Sequence, residues 1–219
     1  MKKAILILIS ALALGGCATP VAKYDYTTFR NNHPHSILVL PARNETINVD
    51  APDYFLSTLS RPFGERGYYV FPAHMVKRTL EDNGLSDTDM VYQAETQRIG
   101  RLFDCDAALY VTIERWDSQY VVLATQTTVQ FLYELKSCDN GEVLWTNRAQ
   151  MVYSPQASSS GNILADVIAQ AIVAAVEKAA PNYMPLARQA NLAAAATPGQ
   201  GVPAGPYLPE QYRSDTEQY

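Results

Sequence analysis

Apolar and polar positions along this chain follow two different rhythms, and the change between them divides the fold. The first apolar run of strand length is Ser36-Ile37-Leu38-Val39-Leu40-Pro41, short enough for a buried strand and ended by Pro41 and Asn44. From Ala51 to Arg66, Tyr54, Phe55, Leu59 and Phe63 recur at helical spacing, with Asp50 as a cap ahead of Pro52 and Pro62 placed to kink or break the helix. Gly67 closes that segment, and Tyr68-Tyr69-Val70-Phe71-Pro72 reads as a second buried strand, so the simplest arrangement is strand, helix and parallel return. Two helical segments are expected next, His74–Asn83 and Asp89–Phe103, the latter with Asp87 or Asp89 as its cap.

Beyond Phe103 the period falls to two. Ala107–Arg115 places Leu109, Val111 and Ile113 on one face. Thr127–Lys136 alternates Val129, Phe131, Tyr133 and Leu135 with polar residues. Glu142–Tyr153 sets Val143, Trp145, Ala149, Met151 and Tyr153 together. Three such runs, with Asn140-Gly141 as a hairpin signal between the last two, predict an antiparallel meander with one buried face. Gln119–Ala124 is also strand-like, which makes a strand of this meander long and bent. A broad apolar stripe from Ile163 to Val176 predicts a helix packed on the sheet and stopped by Pro181, and Leu186–Ala196 forms one more. The fold class is therefore α/β: a mixed sheet of about five strands, a parallel strand-helix-strand followed by an antiparallel three-strand meander, flanked by helices. The domain is expected over residues 36–196.

The two ends read differently. Met1-Lys2-Lys3 precedes an apolar run from Ala4 to Leu14, 11 residues where a spanning helix needs about 20. A cationic start, a short apolar core and small residues before a cut are the parts of an export signal. Leu14-Gly15-Gly16-Cys17 resembles the lipobox of bacterial lipoproteins, which implies cleavage after residue 16 and acylation of Cys17. Three acyl chains would hold the protein on its membrane without a spanning helix. Ala18 follows the cysteine in place of the aspartate that marks inner-membrane retention, so the resemblance implies the outer membrane. Residues 17–35 are expected to be a flexible tether. The Pro-Gly-rich stretch from Thr197 to Tyr219 is expected to be a disordered tail.

Composition narrows the partners. Loss of Lys2 and Lys3 with the leader takes the net charge from −5 to −7, and a mildly acidic chain without a basic run argues against nucleic acid. With Cys17 acylated, Cys105 and Cys138 remain, either as buried free thiols or as a disulfide in an oxidising compartment. A hairpin centred on Val121-Val122 brings the two side by side, whereas a turn at Asp117-Ser118 leaves them several residues out of register.

Recognisable chemistry is scarce. The chain has no GxxxxGK[ST], GxGxxG, HExxH or GxSxG motif, and no cofactor or metal is implied. His33-Pro34-His35 and His74 read as solvated polar residues, and Glu114 as a charge at a strand end. There are 14 tyrosines. Those in strands fill the core, while Tyr24, Tyr26, Tyr207, Tyr212 and Tyr219 fall at the flexible ends. Tyr207, Tyr212 and Tyr219 are there candidate partner contacts.

Taken together, the lipobox, Ile37-Leu38-Val39-Leu40-Pro41 with Gly67-Tyr68-Tyr69-Val70, and Gly141-Glu142-Val143-Leu144-Trp145 resemble a family of bacterial outer-membrane lipoproteins without a settled function. The resemblance implies a domain similar to the amino-terminal domain of TolB and a genomic neighbour similar to the secretion channel CsgG. CsgG itself and the peptidoglycan-synthase activator LpoB carry a similar hairpin. The function implied is that of a lipid-anchored, periplasm-facing adaptor for other envelope or export-machinery proteins, not an enzyme. A periplasmic hydrolase with an unrecognised site and a structural lipoprotein touching peptidoglycan are the alternatives.

Overall fold

The computed structural model describes residues 24–121, 124–153 and 184–215. The leader with Cys17 and the helix expected over Ile163–Val176 lie outside these residues. The strands are β1 (Ser36–Val39), β2 (Arg43–Asn44), β3 (Tyr69–Val70), β4 (Ala107–Val121), β5 (Ala124–Ser137) and β6 (Val143–Tyr153). They form one mixed sheet in the order β3-β1-β4-β5-β6, parallel from β3 to β4 and antiparallel from β4 to β6. The strand beyond the expected five is β2, which resumes beside β4 where Pro41 and Ala42 interrupt β1.

Alternation along β1 builds two cores on opposite faces of the sheet. Ile37 and Val39 join Phe55, Leu59 and Phe63 of α2 (Ala51–Glu65) and Leu186, Ala187 and Ala190 of α6 (Met184–Ala196). Leu38 and Leu40 join the second core, formed with α3 (Ala73–Asp82), α4 (Thr88–Gln93) and α5 (Thr96–Phe103) through Val76, Leu80, Val91 and Ile99. A buried polar chain crosses the first core. Tyr133 donates to Asn191, whose Nδ2 donates to Thr58 Oγ1 at 2.8 Å, and that hydroxyl donates to the Phe55 carbonyl at 2.8 Å. Strand β5 and helices α6 and α2 are thereby tied through groups that are all satisfied.

Several local expectations need correction. Helix α2 continues through Pro62 without a break, because the ring sits near its C-terminal end, forfeits a single backbone bond and is itself buried. Asp50 holds the N-cap position but its side chain makes no capping bond. The segment 89–103 is two helices, separated where Ala94 and Glu95 turn extended, and Asp87 caps the first by accepting from the amides of Asp89 and Met90. Val143 is exposed rather than on the core face, because a bulge lets Leu144 and Trp145 both enter the core.

The larger correction concerns both ends of the domain. Residues 24–35 are not tether: α1 (Thr27–Asn32) buries Phe29, and Tyr26 is 2% exposed. Nor is the stretch from Thr197 a disordered tail over its described residues. It runs as an arm along the domain to a last helix, α7 (Pro209–Ser214). Five consecutive arm carbonyls each accept a hydrogen bond. Gly199 accepts from Tyr24 N at 3.1 Å, Gln200 from Trp145 Nε1 at 2.8 Å, and Gly201 from the Tyr26 hydroxyl at 2.6 Å. Val202 accepts from Arg66 Nε at 2.9 Å, and Pro203 from the Tyr68 hydroxyl at 2.7 Å. Asp215 then closes the arm, pairing with Arg66 at 2.6 Å and accepting from Ala204 N at 2.6 Å. Pro and Gly here serve close approach. A Cβ on Gly201 would stand 2.5 Å from the Ala195 carbonyl oxygen, and one on Gly205 would collide with that of Gly67.

The β4–β5 hairpin turns between its last pair, Val121 and Ala124, and pairs Ala107 with Ser137 at its base. Cys105 and Cys138 lie just beyond that base, buried, with Cα atoms 5.9 Å apart, and are joined in a disulfide.

Two stability predictions follow from these ties. Replacing both Cys105 and Cys138 by Ser should lower the unfolding free energy by about 4 kcal/mol in a urea titration, since the bond closes a 33-residue separation. Deleting residues 198–219 should cost at least about 3 kcal/mol, because several donors in or beside the core lose their partners. An unchanged melting temperature after that deletion would show that the arm does not pack.

Candidate interaction surfaces

Among the described residues, three surfaces outside the two cores are candidates for interaction. The first is the outer edge of β6. It ends the sheet, and among the described residues no backbone group along it is bonded to another segment outside the sheet. An 11-residue edge is long for a natural sheet, where exposed edges are usually short or covered.

The second surface is the face of the meander turned away from α2 and α6. Glu114 sits there because of a bulge: Ile113 pairs with Phe131 and Arg115 with Gln130, leaving Glu114 unpaired in the ladder. Its carboxylate accepts from Arg148 Nη2 at 2.7 Å and Gln130 Nε2 at 2.6 Å, so three strands are linked across the face. Sequence reading placed Glu114 at a strand end; β4 instead runs on to Val121, and the bulge explains a charge within an apolar run.

The third is a cleft beyond the C-terminal end of β1, lined in part by Arg43, Asp53, Lys77, Glu81, Asp87 and Asp89. Tyr92 lies behind Arg43 in its lining. Between β1 and β2 no strand residue reaches Val111, and the Tyr92 hydroxyl substitutes for one, donating to Val111 O at 2.6 Å and accepting from Val111 N at 2.8 Å. Arg43 lies over the Tyr92 ring, 4.4 Å from its centroid, and pairs with Asp89 at 3.1 Å. Burial raises the pKa of the Tyr92 hydroxyl above the usual tyrosine value, and raises that of Tyr133 as well. The cleft's charges are mixed in sign, and no group of three or more His, Cys, Asp or Glu able to hold a metal occurs among the described residues.

The residues singled out from sequence scatter over these surfaces. Cys17 and Tyr219 lie outside the described residues. Tyr207 is exposed, on an arm held in place by its own amide, which donates to Gly67 O at 3.1 Å; Tyr212 belongs to α7. The argument that drew attention to them, aromatics in a segment that cannot bury itself, does not survive the packing of the arm. Tyr24 and Tyr26 are likewise spent within the fold. Sequence reading missed the role of Tyr92, an isolated aromatic in a polar helix whose hydroxyl stands in for a strand.

Among the described residues no helix is long and apolar enough to cross a membrane. Residues 24–207 match the family model described as "Putative lipoprotein GNA1162-like". The chain belongs to this lipoprotein family. The match begins at Tyr24, the first described residue, and takes in the arm. A relative described as a putative lipoprotein of Neisseria meningitidis serogroup B is 36% identical over 162 residues, 74% of this chain and 75% of the relative. The crystal structure of lipoprotein GNA1162 from the same species, 32% identical, aligns with a TM-score of 0.54 over 65% of this chain and 98% of that one. Escherichia coli LpoB, at 17% identity and a TM-score of 0.38 over 56% of this chain and 59% of LpoB, is too slight a likeness to bear on function.

Replacing Tyr92 by Phe should destabilise the domain by about 2 kcal/mol and speed hydrogen exchange at the Val111 amide, because both backbone groups of Val111 lose their partner. With its folded-state pKa raised, Tyr92 contributes stability that is complete below about pH 10 and is lost as pH climbs through the folded value. Alkaline denaturation of the wild type should therefore begin above that pH, and less steeply in the Tyr92→Phe variant.

Proposed function

We propose that this protein is a lipid-anchored accessory lipoprotein of the cell envelope, held at the periplasmic face of the outer membrane through Cys17, which acts by binding another envelope or export-machinery protein. Membership of a lipoprotein family supports the anchor, together with the lipobox-like Leu14-Gly15-Gly16-Cys17. The fold sharpens what the anchor does. Its first described residue is Tyr24, seven residues after Cys17, so the covalent chain between them spans at most about 24 Å. That keeps the domain against the membrane surface rather than well clear of it.

The observation that carries the binding role is the outer edge of β6, unpaired among the described residues, adjoining the polar face that holds Glu114 and Arg148. An extended segment of a partner can add there as a further strand, the backbone supplying affinity and alternate side chains supplying selectivity. The partner implied by the sequence resemblance is a lipoprotein similar to CsgG.

Cys17→Ala should move the protein from the membrane pellet to the soluble fraction, and a variant still in the pellet would overturn the anchored reading. With the anchor intact, a photo-crosslinker at Val152, exposed on β6, should capture an envelope protein in cells. Failure there, with successful capture from another face, would move the binding site off β6.

A further inference from the structure

Helix α5 carries two exposed arginines, Arg98 and Arg101, one turn apart. Residues at that spacing are neighbours on a helix surface, so their like charges repel unless an anion lies between them. No ion pair joins either guanidinium to a described residue. Together with Asn83, Leu85 and Leu102 they line a pocket of about 260 Å³, and no carboxylate belongs to that lining. In a chain of net charge −5 such a site selects an anion, and its two leucines select one with apolar surroundings. The last turn of α5 suits the charge of Arg101 but does not account for Arg98 beside it.

The same layer of the domain carries exposed apolar surface. Phe103 ends α5 directly after Leu102, and its ring meets that of Phe71 at 6.2 Å. Phe71 in turn meets Tyr69 at 5.1 Å. Tyr69, on the edge strand β3, and Met75, in the first turn of α3, are each about half exposed. Aromatic rings with arginines nearby suit the boundary between phospholipid headgroups and acyl chains, where rings settle and guanidiniums meet phosphates. A second exposed apolar pair, Ile47 and Val49, stands between Glu45 and Asp50 and has the wrong sign for a phosphate.

We propose that this α3–α5 face is the surface on which the domain rests on its membrane, with Arg98 and Arg101 on lipid phosphates and Tyr69, Phe71, Met75 and Phe103 among the headgroups. The proposal rests on the anchored reading above, and the tether argues for this occupant. Between Cys17 and Tyr24 the chain spans at most about 24 Å. From Tyr24 the rings of Tyr26, Phe29 and Tyr68 follow at centroid separations of 5.0, 6.4 and 6.4 Å, and Tyr69 is the next residue. That path is shorter than the tether, so the face lies within reach of the membrane that holds Cys17. Anchoring also makes a weak contact sufficient, because the acyl chains keep the lipid surface at high effective concentration.

The test uses the mature acylated protein reconstituted in vesicles of phosphatidylethanolamine and phosphatidylglycerol. With Cys17 acylated and Cys105 bonded to Cys138, an introduced cysteine is the one free thiol for a nitrobenzoxadiazole label. Met75→Cys is compared with Leu192→Cys, since the two side chains are 54% and 50% exposed and lie in the layers on opposite faces of the sheet. A lipid bearing a doxyl group near the headgroup end of its acyl chain should quench the Met75 label at least about threefold more than the Leu192 label. Replacing Arg98 and Arg101 together by Gln should remove that excess, with circular dichroism unchanged and the chain still floating with the vesicles. Equal quenching at the two positions, or an excess that survives the double replacement, would overturn the proposal. Equal quenching together with calorimetric binding of inorganic phosphate that needs Arg98 and Arg101 would overturn it and make the pocket a site for a soluble anion. A chain that lacks its acyl chains does not float with the vesicles at all, so failure of the anchored reading is told apart from a wrongly assigned face.

Discussion

Five successive carbonyls, from Gly199 to Pro203, accept hydrogen bonds from donors drawn from three separate parts of the chain, and the boundaries of the domain depend on them. An extended segment with no sheet partner must otherwise leave these groups to water, and buried carbonyls without donors are costly. Two tyrosine hydroxyls, an indole, a guanidinium and one backbone amide supply what a neighbouring strand would have supplied. The same bonds draw Tyr24 and Tyr26 onto the arm, so the two ends of the domain are ordered by one another.

The same economy appears at the centre of the sheet. Strand β4 is flanked on one side by β5 along its whole length and on the other by β1 and β2 with a gap between them. Tyr92 fills the gap from outside the sheet. In both places an aromatic hydroxyl replaces a missing strand. Both depend on tertiary placement rather than on any local rhythm of residues.

That difference accounts for what could be read from the sequence. The mixed sheet was legible because strands report themselves through period-two alternation, as in Val129, Phe131, Tyr133 and Leu135, and hairpins through signals such as Asn140-Gly141. The arm was not, since Pro and Gly serve both disorder and close packing, and only the nearness of Ala195 to Gly201 tells them apart. Tyr26 and Phe29 were missed because a helix of six residues is too short to show its own period. Val143 was misplaced by a bulge, which shifts alternation without altering composition. The candidate surfaces were less legible still. An edge strand is defined by what fails to lie beside it, and a hydroxyl that substitutes for a strand, as that of Tyr92 does, looks in sequence like one aromatic in a polar helix.

The bond between Tyr24 and Gly199 also has a mechanical meaning. Tension on the chain ahead of Tyr24 enters the domain where the arm is, and the first bonds to bear it are those to Gly199 and Gly201. These lie in series with α1, whose Phe29 meets the ring of Tyr68, and only then with the sheet. A pull from that end therefore strips the arm's contacts and α1 one at a time before any strand shears. The long ladders from β4 to β6 stay unloaded until the outer layer has peeled, and that layer can yield and reseal while the sheet stays intact.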